Sequence, residues 1–146
     1  MRGGILAVSL ATSLGGCGGG GGDPVAHDAW VRLPAVSGRP AAAYLTIQGG
    51  RENVRLNTLR VPAARRVELH ETVGDGAVMS MRPVGGVDVA AGTTVSLAPG
   101  GIHAMLHDLD PALKPGGTTR MTLVFDSAPP IELDAKLTAP GATAPE

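Results

Sequence analysis

The chain has 146 residues, a formal net charge of -1 and only three aromatic residues, Trp30, Tyr44 and Phe125. That length fits one ordinary hydrophobic core with tails, and scarce aromatics require the core to come from Val, Leu, Ile, Ala and Met. Near-neutral charge, with no basic cluster and no aromatic platform, argues against nucleic acid as a partner.

The N-terminus reads as a targeting signal. Met1-Arg2 supplies a minimal positive end, Ile5 to Leu14 an apolar run, and Leu14-Gly15-Gly16-Cys17 closes it with small residues before a cysteine. Such a run is too short for a bilayer, which takes about 20 apolar residues. Residues 1–16 resemble a bacterial lipoprotein signal peptide. Cys17 would then be the lipidated first mature residue and anchor the protein to a membrane in the cell envelope, outside the cytoplasm. The plainer reading is a glycine-rich scar with an incidental cysteine. Cys17 is the only cysteine, so no disulfide forms within the chain.

Residues 17–24 read as a tether, Gly18 to Gly22 followed by Asp23-Pro24. As a glycine-rich coil of about eight residues it would reach roughly 15 Å. The folded domain is expected over 25–138. The small, proline-bearing segment 139–146 is expected to be a disordered tail.

Within the domain, alternation of apolar and polar residues recurs in short runs. Leu45 and Ile47 flank Thr46, and Val67 and Leu69 alternate with Arg66, Glu68 and His70. Val95 and Leu97 alternate with Thr94 and Ser96, and Met121, Leu123 and Phe125 with Arg120 and Thr122. From Ile131 to Leu137 every odd position is apolar and every even one charged. No run of a dozen residues carries a helical stripe, so the fold class is all-β, an antiparallel sandwich or barrel. Gly49-Gly50, Gly74-Asp75-Gly76, Gly85-Gly86 and Gly116-Gly117 mark turns. Pro62, Pro83, Pro99, Pro111 and Pro115 fall between the runs, where a missing N–H costs least.

The stretch Gly100-Gly101-Ile102-His103-Ala104-Met105-Leu106-His107 carries the chemistry. In an extended chain His103 and Met105 point the same way, so one segment offers an imidazole and a thioether to one point. His70 is opposite in parity to Val67 and Leu69, which argues against a plain core histidine. Met79 and Met81 share a face, and a Met-x-Met pair alone more often packs than ligates. Met121 shares its face with Leu123 and Phe125 and reads as core. Thioethers suit Cu(I), imidazole suits copper in either oxidation state, and neither thioether nor imidazole is lost to disulfide formation.

These residues resemble the periplasmic copper chaperones called PCu(A)C. That family's motif is a His, ten residues, a Met, twenty-one residues, then His-x-Met. Here His70, Met81, His103 and Met105 stand at those spacings. The flanking text is similar as well, in Asp28-Ala29-Trp30-Val31-Arg32, Ala42-Ala43-Tyr44-Leu45-Thr46-Ile47, Val67-Glu68-Leu69-His70-Glu71, Met81-Arg82-Pro83-Val84 and Pro99-Gly100-Gly101-Ile102-His103. The resemblance implies a cupredoxin-like Greek-key β-barrel that binds one Cu(I) through His70, Met81, His103 and Met105 near its surface. It also implies copper supply to cytochrome c oxidase subunit II, alongside Sco-type thiol proteins. Some members bind Cu(II) with a His- and Met-rich tail, whereas residues 138–146 hold neither. His107 is a candidate auxiliary donor, Met79 a flanking residue and His27 a solvated residue at a strand start.

Three other functions compete. A blue-copper electron carrier needs a cysteine thiolate, which the domain lacks. Copper sequestration without delivery would use the same ligands, and an adhesive lipoprotein would leave the His and Met residues incidental. Enzyme activity is not expected, because no nucleophile context or phosphate loop occurs and the acidic residues alternate outward.

Overall fold

Where apolar and polar residues alternate, the chain is extended. A computed structural model describes residues 22–145, so the signal-like segment and Cys17 lie outside the described residues. Ten strands follow in order: β1 (Val25–Arg32), β2 (Ala41–Gln48), β3 (Val54–Arg60), β4 (Ala64–Gly74), β5 (Met79–Pro83), β6 (Val87–Val89), β7 (Thr94–Leu97), β8 (Ile102–Leu109), β9 (Thr118–Phe125) and β10 (Ile131–Thr138). Among the described residues no helix occurs, and the architecture is the all-β, cupredoxin-like barrel expected from the alternation and the resemblance.

The strands run β5-β4-β8-β2-β1-β10-β9-β3-β6, with β7 also on β2. One edge of β2 is shared: Ala41 to Ala43 pair with β8, and Leu45 to Gln48 pair with β7. β1 and β10 are parallel, and the other pairs are antiparallel. β3 comes to pack against β4, which brings the far part of the sheet round to the near one.

The alternating residues fill the interior. Leu45, Ile47, Leu69, Leu97, Met121, Leu123, Phe125, Ala135 and Leu137 are all buried in one core. In β1 and β3 a bulge breaks the alternation. β3 shifts register between Leu56 and Thr58, so the buried Leu56 and Leu59 are three positions apart. β1 shifts between His27 and Trp30, with Asp28 at φ 55°, and Ala29, Trp30 and Val31 are buried in succession.

The glycine turns fall where strands reverse. Gly76 at φ 92° closes the β4–β5 hairpin, and Gly100 at φ 83° lies in the turn from β7 to β8, a backbone region that side chains disfavour. Pro83 differs from expectation. It ends β5 opposite His70 instead of sitting between strands, and it is tolerated there because β5 is the outermost strand of the sheet.

Candidate metal centre

Register sets which side chains meet. On β4 and β8, His70 stands opposite His103, Glu68 opposite Met105 and Arg66 opposite His107. Directly opposed residues share a face, and that face is the reverse of the one carrying Leu69, Ala104 and Leu106 into the core. On β5, Met81 stands opposite Thr72, two residues beyond His70, and so joins the same face. Ala42 of β2 stands opposite Met105, which brings Tyr44 to that face from the other side. The four sequence-derived residues therefore come from three adjacent strands and emerge on one face.

Their environments differ. His103 is 4% exposed, whereas Met81 and Met79 on the edge strand are each 57% exposed. Met105 and His70 are half-buried. The rings of His70 and His103 lie 6.2 Å apart, and Tyr44 lies 6.3 Å from His103 on its other side. Met81, His103 and Met105 line one open cavity of about 350 Å³, together with Thr72, Tyr44 and Arg32. His70 is outside that lining and meets the group through His103.

Hydrogen bonds order the imidazoles. His103 donates Nδ1–H to the Gly101 carbonyl at 3.0 Å, since a carbonyl can only accept. This leaves Nε2 of His103 with its lone pair. The same carbonyl accepts the Thr72 N–H at 3.2 Å and so joins β4 to the β7–β8 turn. His70 and His107 both donate Nε2–H to Oε2 of Glu68, at 3.2 and 3.0 Å. Those bonds, that of His70 first, together with the nearby Arg66 charge, hold the Glu68 carboxyl below its usual range against partial desolvation.

His107 thus faces the site as its parity suggests, and its ring nitrogen is engaged by the carboxylate. His27 is exposed on β1 and pairs with Asp28 at 2.7 Å. Met121 is fully buried, on the face opposite the candidate donors.

The reading of the sequence did not single out three neighbours. Arg32 donates to the Tyr44 hydroxyl at 2.5 Å, and its guanidinium lies 5.3 Å from the Tyr44 ring and 6.0 Å from that of Trp30. Burial pushes the Tyr44 phenol up, with Arg32 opposing. The signal was present as parity: Arg32 and Tyr44 alternate with Val31, Ala43 and Leu45. Glu68 could have been found in the same way, two residues before His70. The C-terminal segment also reaches the site, because the Ala142 carbonyl accepts from Arg32 at 3.4 Å and Pro140 and Gly141 border the cavity.

Among the described residues no group of three or more His, Cys, Asp or Glu is arranged to hold a metal ion. The mixed imidazole and thioether set is what this face offers. Such a set is soft and uncharged, which matches Cu(I) better than a hard divalent cation.

Known proteins share this fold. The family model "Putative lipoprotein LpqE-like" matches residues 25–137. "Putative lipoprotein Lxx21020" of Leifsonia xyli subsp. xyli is 35% identical over 111 residues, covering 74% of this chain, which spans 66% of that relative's length. The copper-bound PCuAC domain of PmoF2 superposes with a TM-score of 0.68 at 26% identity, over 82% of this chain and 95% of that one. The solution structure of CuI-DR1885 from Deinococcus radiodurans gives 0.62 at 26% identity, over 88% and 85%.

Proposed function

The chain belongs to the LpqE-like family and its domain to the PCu(A)C copper chaperones, and from that premise we propose that it binds one Cu(I) outside the cytoplasm through His70, Met81, His103 and Met105. The supporting observation is the convergence of two imidazoles and two thioethers from β4, β5 and β8 on one outer face. The lipoprotein name of the Leifsonia relative and the lipoprotein-like N-terminus support anchoring in the cell envelope through Cys17.

The graded exposure of the donors suggests how the ion leaves. Met81 is open to solvent and uncharged, while His103 is buried under Tyr44. An incoming ligand from an acceptor replaces Met81 first and the buried imidazole last. Each thioether holds Cu(I) less firmly than a thiolate, so stepwise exchange moves the ion without catalysis. The acceptor in this reading is the copper centre of cytochrome c oxidase subunit II, with a Sco-type thiol protein acting beside it.

Competition with a Cu(I) chelator, followed by mixing of the loaded protein with an apo oxidase copper-centre domain, tests the proposal. Tight binding with transfer is expected, and adding Cu(II) to the folded domain should give no intense visible band because residues 25–138 contain no cysteine. Binding without transfer would replace delivery by sequestration, and failure to bind Cu(I) would remove both.

A further inference from the structure

We propose that Glu68 is a positioning residue of this centre, fixing the His70 ring in the tautomer whose Nδ1 lone pair is free to coordinate. This rests on the copper-binding reading above. Oε2 of Glu68 accepts from both His70 Nε2 and His107 Nε2, while Oε1 accepts from Arg66 at 3.0 Å. The carboxylate is thereby held by donors at positions 66, 70 and 107.

The other tautomer of His70 is disfavoured at both ends of the ring. Its Nε2 lone pair would face a carboxylate oxygen at 3.2 Å, which repels it. Its proton would sit on Nδ1, a buried atom with no hydrogen-bond partner. Among the described residues His70 Nδ1 is the one buried side-chain nitrogen or oxygen left without a partner. An unmet lone pair on the strand face that also carries His103, Met105 and Met81 is suited to act as a ligand atom. The two histidines then present different nitrogens, because the Gly101 carbonyl holds His103 with Nε2 free whereas Glu68 holds His70 with Nδ1 free. His107 is the outer limb that steadies the carboxylate through its Nε2.

Imidazole ¹⁵N–¹H correlation spectra of the apo protein, paired with Cu(I)-chelator competition, test the assignment. In the wild type His70 should carry its proton on Nε2. Glu68→Ala should give averaged ring shifts for His70, leave the His103 pattern unchanged and weaken Cu(I) binding about 10- to 100-fold. Glu68→Gln, which keeps a neutral acceptor, should recover the tautomer and most of the affinity, a rescue that a purely structural ion pair would not give. His107→Leu should weaken binding less than Glu68→Ala.

The wild-type spectrum needs no substitution, so a poorly folded Glu68→Ala leaves the proposal exposed to refutation. A proton on Nδ1 of His70 overturns it. A changed tautomer with unchanged Cu(I) affinity overturns the positioning role and leaves the copper reading standing. Absence of Cu(I) binding by the wild type overturns both.

Discussion

Methionine at 121 and methionine at 105 should answer substitution in opposite ways. Met121 lies opposite Leu133 in the β9–β10 pair and is 0% exposed. Met121→Ala removes three heavy atoms from the core, a transfer loss of about 2 kcal/mol. A residual void of about 50 Å³ adds about 1 kcal/mol, for a total of about 3 kcal/mol. In a domain of this size that lowers Tm by about 10–15 °C. Met105 is half-buried on the outer face, so Met105→Leu keeps the volume and costs under about 1.5 kcal/mol. Cu(I) affinity should move the other way, falling with Met105→Leu and holding in whatever fraction of Met121→Ala stays folded. Thermal unfolding by circular dichroism and chelator competition below the lower Tm read the two quantities on the same samples. Equal loss of affinity in the two variants, or equal loss of Tm, would falsify the division of β8 and β9 into a donor face and a core face.

Met81→Leu should change stability by under about 0.5 kcal/mol, because the residue is largely exposed, yet weaken Cu(I) about tenfold or more, equivalent to about 1.4 kcal/mol; an unaltered chelator titration would remove Met81 from the donor set. Asp126 accepts from the Arg55 N–H and the Ser127 hydroxyl, both at 2.9 Å, and the Arg55 bond first of all lowers its carboxyl below the usual range. A carboxyl with a depressed folded value stabilises above its unfolded pKa and loses that contribution as pH falls through the folded one. The Tm advantage of wild type over Asp126→Asn should therefore be full at about pH 6 and shrink below about pH 4, and a gap that stays constant down to about pH 2 would count against this assignment. Gly49→Ala should cost about 1–3 kcal/mol in urea unfolding, because the added methyl presses on the Ala90 carbonyl; a neutral result would mean that the β2–β3 turn yields freely.

The fold was legible where strands alternate without interruption. Met121, Leu123 and Phe125, and the odd residues from Ile131 to Leu137, go inward as their spacing requires. It was obscured where bulges break the period, as at Leu56 to Thr58 in β3 and His27 to Trp30 in β1. Parity also placed His70 opposite Val67 and Leu69 and put His103 and Met105 on one side of their strand, which is a local property of each strand. That β4 and β8 are neighbours is not local. His70 meets His103 through pairing of strands separated by β5, β6 and β7, and no pattern within either segment announces it. Edge position is likewise a property of the whole sheet, so the exposure of Met79 and Met81 could not be read from Met-Ser-Met alone.

The dependence of the face on the core follows from the same geometry. A slip of one residue between β4 and β8 would turn every side chain of the slipped strand over, burying His70 and Glu68 and exposing Leu69. That slip is opposed chiefly by the interior, where Leu69, Ala104 and Leu106 are each 5% exposed or less. The apolar residues between the candidate donors therefore help to fix the site. Leu69 sets the side on which His70 and Glu68 emerge, and Ala104 does the same for His103 and Met105. The Gly100-Gly101 turn completes the constraint at the other end, since its carbonyl binds both the Thr72 backbone and the His103 ring. The candidate donors are held from beneath by packing and from the end by one carbonyl, while Met81 on the edge strand stays open to solvent.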